Sequence, residues 1–242
     1  RVVEAMAYES KKVMDRLAAS FGSLIYGNGG GSIGRISAIS SATATLENPD
    51  DAKNFEPGDL VYFSLNSGGV STDALESGGP LTVSTVDFDL GKVTFTAGIV
   101  ATIATAAVNG YLFRDGDFQA VPQGFEGWNP LTIPSTAYFG MTRTTYGIRQ
   151  AGLRKDVSAT VLWADKIRDL LTYASRAGSS LSHLFMHPTN FASLDKELQT
   201  AKRYLEEVNA SVGFEGIKFN QQNGKSIMIH ADPYAPLNVA RG

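Results

Sequence analysis

Three histidines, His183, His187 and His230, are the side chains best suited to hold a metal or move a proton, because the chain has no cysteine and imidazole titrates near neutrality. His183 and His187 stand four residues apart, a spacing that serves one metal when both ligands share a helical face. They flank Leu184, Phe185 and Met186, an apolar run closed by Pro188, and so read as bracketing a strand. On a strand that spacing opens to roughly 13 Å, too far for a shared ion. His230 and Asp232 lack the nucleophile elbow that a serine hydrolase needs. Glu206 and Glu207 are adjacent on a helical pattern and face different ways, so they make no acid and base pair.

Gly29, Gly31 and Gly34 match G-x-G-x-x-G, the pattern that cradles a pyrophosphate when it follows a strand and opens a helix. Here the order is reversed and the Walker lysine is missing, so a flexible or tightly turned connector is expected. Asp87-Phe-Asp89-Leu-Gly91 and Asp115-Gly-Asp117 place alternate carboxylates on turns, but two per turn are too few for calcium and read as hairpin chemistry. No catalytic residue, cofactor or metal is assigned, and the chain is not expected to be an enzyme.

The elements around these residues follow from periodicity. Val2, Met6, Val13, Leu17, Phe21 and Leu24 recur every 3.6 residues with charges between them, giving a long amphipathic helix that ends near Tyr26 at Gly27. From residue 35 to 118 Thr, Val, Ser and Gly rise, and short alternating runs at 35–39, 43–46, 60–65, 81–87, 92–96 and 111–113 are separated by turn signals. That spacing predicts a small all-β barrel or sandwich. Residues 119–157 read as an extended linker holding Trp128 and a loosely basic strip of Arg143, Arg149, Arg154 and Lys155.

Residues 158–242 open with a helix over 160–177, capped by Ser158, with Trp163, Ile167, Leu170, Leu171 and Ala174 on one face and Gly178 closing it. The strand of residues 184–186 comes next. A second helix, capped by Thr189 or Asn190, follows with Phe191, Leu194, Leu198, Ala201 and Leu205 at helical spacing. Ile217 and Phe219, then Ile227 and Ile229, alternate across a Gln222-Asn-Gly224 turn as a hairpin.

The chain has 242 residues and a net charge of -3, so no basic footprint of a dedicated nucleic-acid binder is present. Charged residues make up 19%, below the roughly 25% usual for soluble domains and in the direction expected of a subunit covered by neighbours. No apolar run approaches a membrane span. The first residue is not methionine, and a segment upstream is expected.

In order, the helix, Gly178, the Leu-Phe-Met-His-Pro-Thr-Asn-Phe strand and turn, and the Gly-Ile-Lys-Phe … Ile-His-Ala-Asp-Pro close resemble the axial domain of tailed-phage major capsid proteins of the HK97 fold. The resemblance implies an α+β HK97-like fold: residues 1–34 as the spine helix and turn of a peripheral domain, 35–118 as an all-β insertion, and 158–242 as the axial domain with helices on a mixed sheet. The family's N-terminal arm and extended loop have no counterpart ahead of the first helix. It further implies a structural subunit that assembles with itself into pentamers and hexamers of a virion capsid in the host cytoplasm. Expected partners are scaffolding, portal or decoration proteins and, nonspecifically, packaged dsDNA. Arg143, Arg149, Arg154, Lys155, Trp128 and Trp163 are the candidates for subunit contacts or for facing the genome. Alternatives are an encapsulin-type nanocompartment shell, and a carbohydrate- or surface-binding β module on a helical support.

Overall fold

Helical periodicity over the first 26 residues produces α1, Val2–Tyr26, which Gly27 ends by returning its N–H to the Leu24 carbonyl at 3.0 Å. The structure, a computed structural model, describes residues 2–103, 106–132, 141–145, 152–158, 160–202, 217–220 and 226–241. The chain is a mixed α+β protein whose contacts divide it into two compact units, Arg1–Pro130 and Leu131–Gly242.

In the first unit the six runs expected as strands all form, each end within three residues of expectation: β1 Ser32–Ser40, β2 Thr43–Leu46, β3 Leu60–Ser64, β4 Leu81–Asp87, β5 Lys92–Phe95 and β6 Tyr111–Arg114. Of the two architectures that the spacing allowed, the chain adopts a closed barrel, ordered β1-β2-β5-β4-β3-β6 with antiparallel neighbours throughout. Closure falls to β4, which pairs through Leu81 and Thr82 with β3 and from Val83 onward with β5, and to β1. The first half of β1 pairs with β6 and its second half with β2, with register shifts between Ser32 and Gly34 and between Ile36 and Ala38 that let one strand turn between two partners. Ile36, Leu46, Val61, Phe63, Leu81, Val83, Val93, Phe95 and Leu112 fill the interior. The short helix α2, Ile99–Thr102, adds Ile99 and Ile103 to that core, and a 3-10 helix, Pro49–Asn54, brings in Ala52 followed by Phe55. Such a filled interior makes the barrel a packed core rather than a ligand cavity.

The glycine-rich connector proves to be tightly turned. Gly29 and Gly31 adopt positive φ, and a β-carbon on Gly30 would meet the Ser67 carbonyl oxygen at 2.0 Å. Asn28 adds two bonds, donating from Nδ2 to Ser67 Oγ and accepting from the Gly30 N–H. The run therefore locks the end of α1 to the loop after β3.

The second unit is a sheet, β10-β7-β9-β8, with two helices on one face. Its strands are β7 His183–Met186, β8 Ile217–Asn220, β9 Ser226–Ala231 and β10 Ala240–Arg241. β7 and β9 run parallel and the other pairs antiparallel, including the expected β8–β9 hairpin; its turn, with Leu205, Glu206 and Glu207, lies outside the described residues. The helices are α4, Trp163–Arg176, and α5, Pro188–Lys202; a short α3, Phe125–Trp128, precedes them in the first unit. Ile167 and Leu171 of α4 and Leu194 of α5 pack on Leu184, Met186, Ile227 and Ile229.

Gly178 closes α4 as expected, with φ +75. Its N–H donates to Ser175 O at 3.0 Å while Ser179 N–H reaches Ala174 O at 2.9 Å, the bond pair of a Schellman motif.

Both helix starts differ from expectation. Ser158 does not cap α4; the position before Trp163 is Leu162, which has no side-chain oxygen to offer, and its place is taken from across the core. Glu197 of α5 accepts from the Trp163 and Ala164 N–H groups through its two oxygens, each at 3.0 Å. A carboxylate there also meets the positive end of the helix dipole. At α5 the cap is His187 rather than Thr189 or Asn190. Pro188 occupies the first helical position, where a missing N–H costs nothing, so the cap falls one residue earlier. The His187 carbonyl accepts from Phe191 N–H at 2.9 Å and its Nδ1 from Thr189 N–H at 3.3 Å.

Gly30→Ala should destabilise the first unit by about 2–4 kcal/mol, since a backbone oxygen blocks the new methyl and neither chain segment is free to move. A thermal melt showing less than half that loss would contradict the locked connector. Burial of Asp51 on the 3-10 helix raises its pKa from 3.8 to about 6, against a hydrogen bond from Asn48 and the charge of Lys53. The folded chain thus prefers the protonated form: no penalty exists well below pH 4, and one grows as pH rises through about 6. That displacement is worth at most about 3 kcal/mol, and partial exposure of the residue cuts it to about 1–2. Asp51→Asn should therefore stabilise the chain at pH 7.5 and leave it unchanged near pH 4, as denaturant titrations at the two pH values would register.

Candidate functional site

An amphipathic helix normally turns its apolar stripe inward, whereas α1 leaves its apolar side uncovered and is exposed all round from Met6 to Ala18. Lys12, Arg16, Ala19, Ser20 and Ser23, at helical spacing along one side, line a cleft of about 220 Å³ against the barrel residues Lys53, Glu56, Arg114 and Asp117. Arg16 fastens this side: its Nη2 donates to both oxygens of Asp59 at 2.8 and 3.0 Å, and Nη1 lies 3.0 Å from Glu56. The Asp59 bonds raise the Arg16 pKa further above its ordinary value despite some desolvation. Arg114 reaches Ser20 Oγ at 3.4 Å and the Asn54 carbonyl at 2.8 Å. Burial pushes the Asp117 carboxyl up, opposed by Arg114. The cleft's cations and acids so largely neutralise one another.

The other side of α1 carries Met6, Val13, Met14, Leu17, Phe21 and Ile25, all exposed, from 51% at Leu17 to 66% at Met6. Only its last turn is tucked in, where buried Tyr26 stacks on Phe125 of α3 at 5.8 Å. Phe88 and Leu90, at the tip of the β4–β5 turn, add further exposed apolar surface; there Asp87 Oδ1 accepts from Leu90 N–H at 3.0 Å, the hairpin role expected of it.

The six residues singled out from sequence are divided between the two units. Trp128 ends α3 in the first unit and is exposed. Trp163 begins α4 at the edge of the second unit's core, with Lys166 Nζ 4.5 Å over its ring. Arg143 is buried, Arg154 is half-buried, Lys155 is exposed, and Arg149 lies outside the described residues.

Two features are invisible to local sequence patterns or were passed over by them. Gly30-Gly-Ser32-Ile-Gly34 also fits the pattern G-x-S-x-G, yet Ser32 begins β1 after a helix, the reverse of the strand–turn–helix that makes an elbow. The second is a histidine pair. Parallel pairing sets His183 opposite Met228 and Phe185 opposite His230, on the sheet face away from α4 and α5. His183 Nδ1 and His230 Nε2 stand 3.0 Å apart, and Phe185 stacks on the His230 ring at 5.4 Å. Only the strand order, hidden from local sequence, brings these residues together.

Comparison with models of known protein families and with curated proteins finds no match to this chain. Among the described residues no group of three or more His, Cys, Asp or Glu could hold a metal, and no helix is long and apolar enough to cross a membrane.

An uncovered apolar side on α1 predicts a specific mutational signature. Leu17→Ser should change the stability of the isolated chain by no more than about 0.5 kcal/mol, whereas Leu194→Ala, in the packed core, should cost about 2–5. Equal losses in chemical denaturation would mean that the α1 face is covered within the chain.

Proposed function

We propose that the chain is a structural subunit that assembles with copies of itself into pentamers and hexamers of an icosahedral shell, of the tailed-phage capsid class with the HK97 fold. The observation that carries the self-assembly is the orientation of α1: a 25-residue helix is fastened to its own barrel by Arg16 and presents six large apolar side chains outward. Exposed apolar surface of that extent marks a protein contact.

The capsid class is supported by the order of elements in the second unit. A helix closed at Gly178, a strand leaving through His187-Pro188 into a second helix, and a hairpin lying beside that strand follow the succession on which the resemblance rests. On this reading the barrel is an insertion that decorates the shell or braces neighbours, the work is geometric, and contact of Arg154 or Lys155 with packaged dsDNA is sparse and nonspecific. The site of action is the virion.

The test is negative-stain electron microscopy with light scattering on the protein expressed from its complete reading frame, beside a Leu17→Asp, Phe21→Asp double variant. Closed shells, or rings of five or six, are expected for the parent, and subunits with an unchanged melt for the variant. A parent that stays monomeric at every salt and pH condition would overturn assembly as the function, and an assembling variant would remove α1 from its interface.

A further inference from the structure

The sheet face opposite α4 and α5 bears the two imidazoles brought together by β7 and β9. We propose that His183 and His230 form an open, two-imidazole site for a borderline transition-metal ion such as Zn²⁺, Ni²⁺ or Cu²⁺, the ion class that imidazole nitrogen suits. Two nitrogens bound to one tetrahedral zinc at about 2.0–2.1 Å lie about 3.3 Å apart. The 3.0 Å between His183 Nδ1 and His230 Nε2 is thus short of that by only about 0.3 Å, a gap that small side-chain rotations open.

Two neutral imidazoles in such contact share one proton, with one nitrogen donating and the other accepting. A metal would take a lone pair from each of these two nitrogens once the donor ring shifts its proton to its other ring nitrogen, so that both rings stay neutral. The site is also oriented and reachable: Phe185 stacks on the His230 ring with 24° between planes, while His183 is exposed and His230 half-exposed. With two ligands from the chain, the remaining positions fall to water, so the ion should be held weakly and exchange freely.

Among the described residues, Arg241 on β10, in register with Phe185, and Lys218 on β8, in register with Met228, are the charged side chains of the strands on this face. Both are cations, so no carboxylate of those strands competes for the ion or completes its shell. Binding requires both rings to be neutral and should weaken as pH falls.

Isothermal titration of the full chain with ZnCl₂ at pH 7.5, repeated at pH 5.5, tests the site, with the histidine ring resonances followed by NMR. One ion per chain is expected at the higher pH, with the His183 and His230 ring signals shifting together and His187 unmoved. Either His183→Gln or His230→Gln should weaken binding by about tenfold or more while circular dichroism stays unchanged. No binding, binding that survives both substitutions, or shifts confined to His187 would each overturn the proposal. Because monomer and assembly carry the same pair, the outcome does not depend on whether the chain forms shells.

Discussion

A closed β-barrel hydrogen-bonds every strand on both edges, and in this chain two strands divide their length between two partners, β4 between β3 and β5 and β1 between β6 and β2. The two register shifts of β1 release it from β6 in time to meet β2. Everything before β1 is then constrained. The connector at Gly29–Gly31 is pinned against Ser67 and Asp117, which fixes where α1 ends, and the Arg16 bonds to Asp59 fix how it is rotated. An exposed ion pair contributes little by itself. Here the two-toothed geometry and the neighbouring Glu56 choose a rotation more than they supply stability, and the rotation chosen leaves Leu17 and Phe21 outward.

Local patterns made most elements readable in advance. Period-2 runs with Gly, Asn and Asp turns located all six barrel strands, because in a small barrel every strand alternates between a packed interior and solvent. Gly178 was readable for the same kind of reason: a glycine directly after an apolar-periodic run suits the left-handed position that ends a helix. The helix caps were not, since Glu197 acts on α4 from another helix and leaves no signature near residue 162. Nor was the rotation of α1. Amphipathicity reports that a face wants to be covered but not which body covers it, and the usual inference that the covering body is the chain's own core fails here.

The candidate site divides along the same line. Trp163 was recognised as core or interface, and its place at the margin of the second unit's core agrees with the first of these. The basic strip was readable only as a composition, and of its described members Arg143 is buried, Arg154 half-buried and Lys155 exposed. His183 and His230, 47 residues apart, were individually visible, but their contact depends on β7 pairing parallel with β9. A parallel neighbour is reached by a long crossover and carries no turn signal of its own.

In the assembly proposed above, the α1 face has a limited free energy to contribute. Six large apolar side chains, each already partly covered, offer roughly 1 kcal/mol apiece on full burial, or about 6 kcal/mol per copy. Bringing two free chains together costs an estimated 4–15 kcal/mol in lost translation and rotation before any ordering of side chains. Two such faces packed on each other offer about 12 kcal/mol, inside the range of that cost, so a pair held only by α1 is marginal. A closed ring changes the balance, because each added subunit meets two neighbours and the last contact forms without a further loss of free motion. Exposed apolar surface at Phe88, Leu90 and Trp128 supplies further contacts of the same modest size. Surfaces each marginal for holding a pair, yet sufficient when satisfied together, favour assembly into closed many-membered forms over a stable dimer.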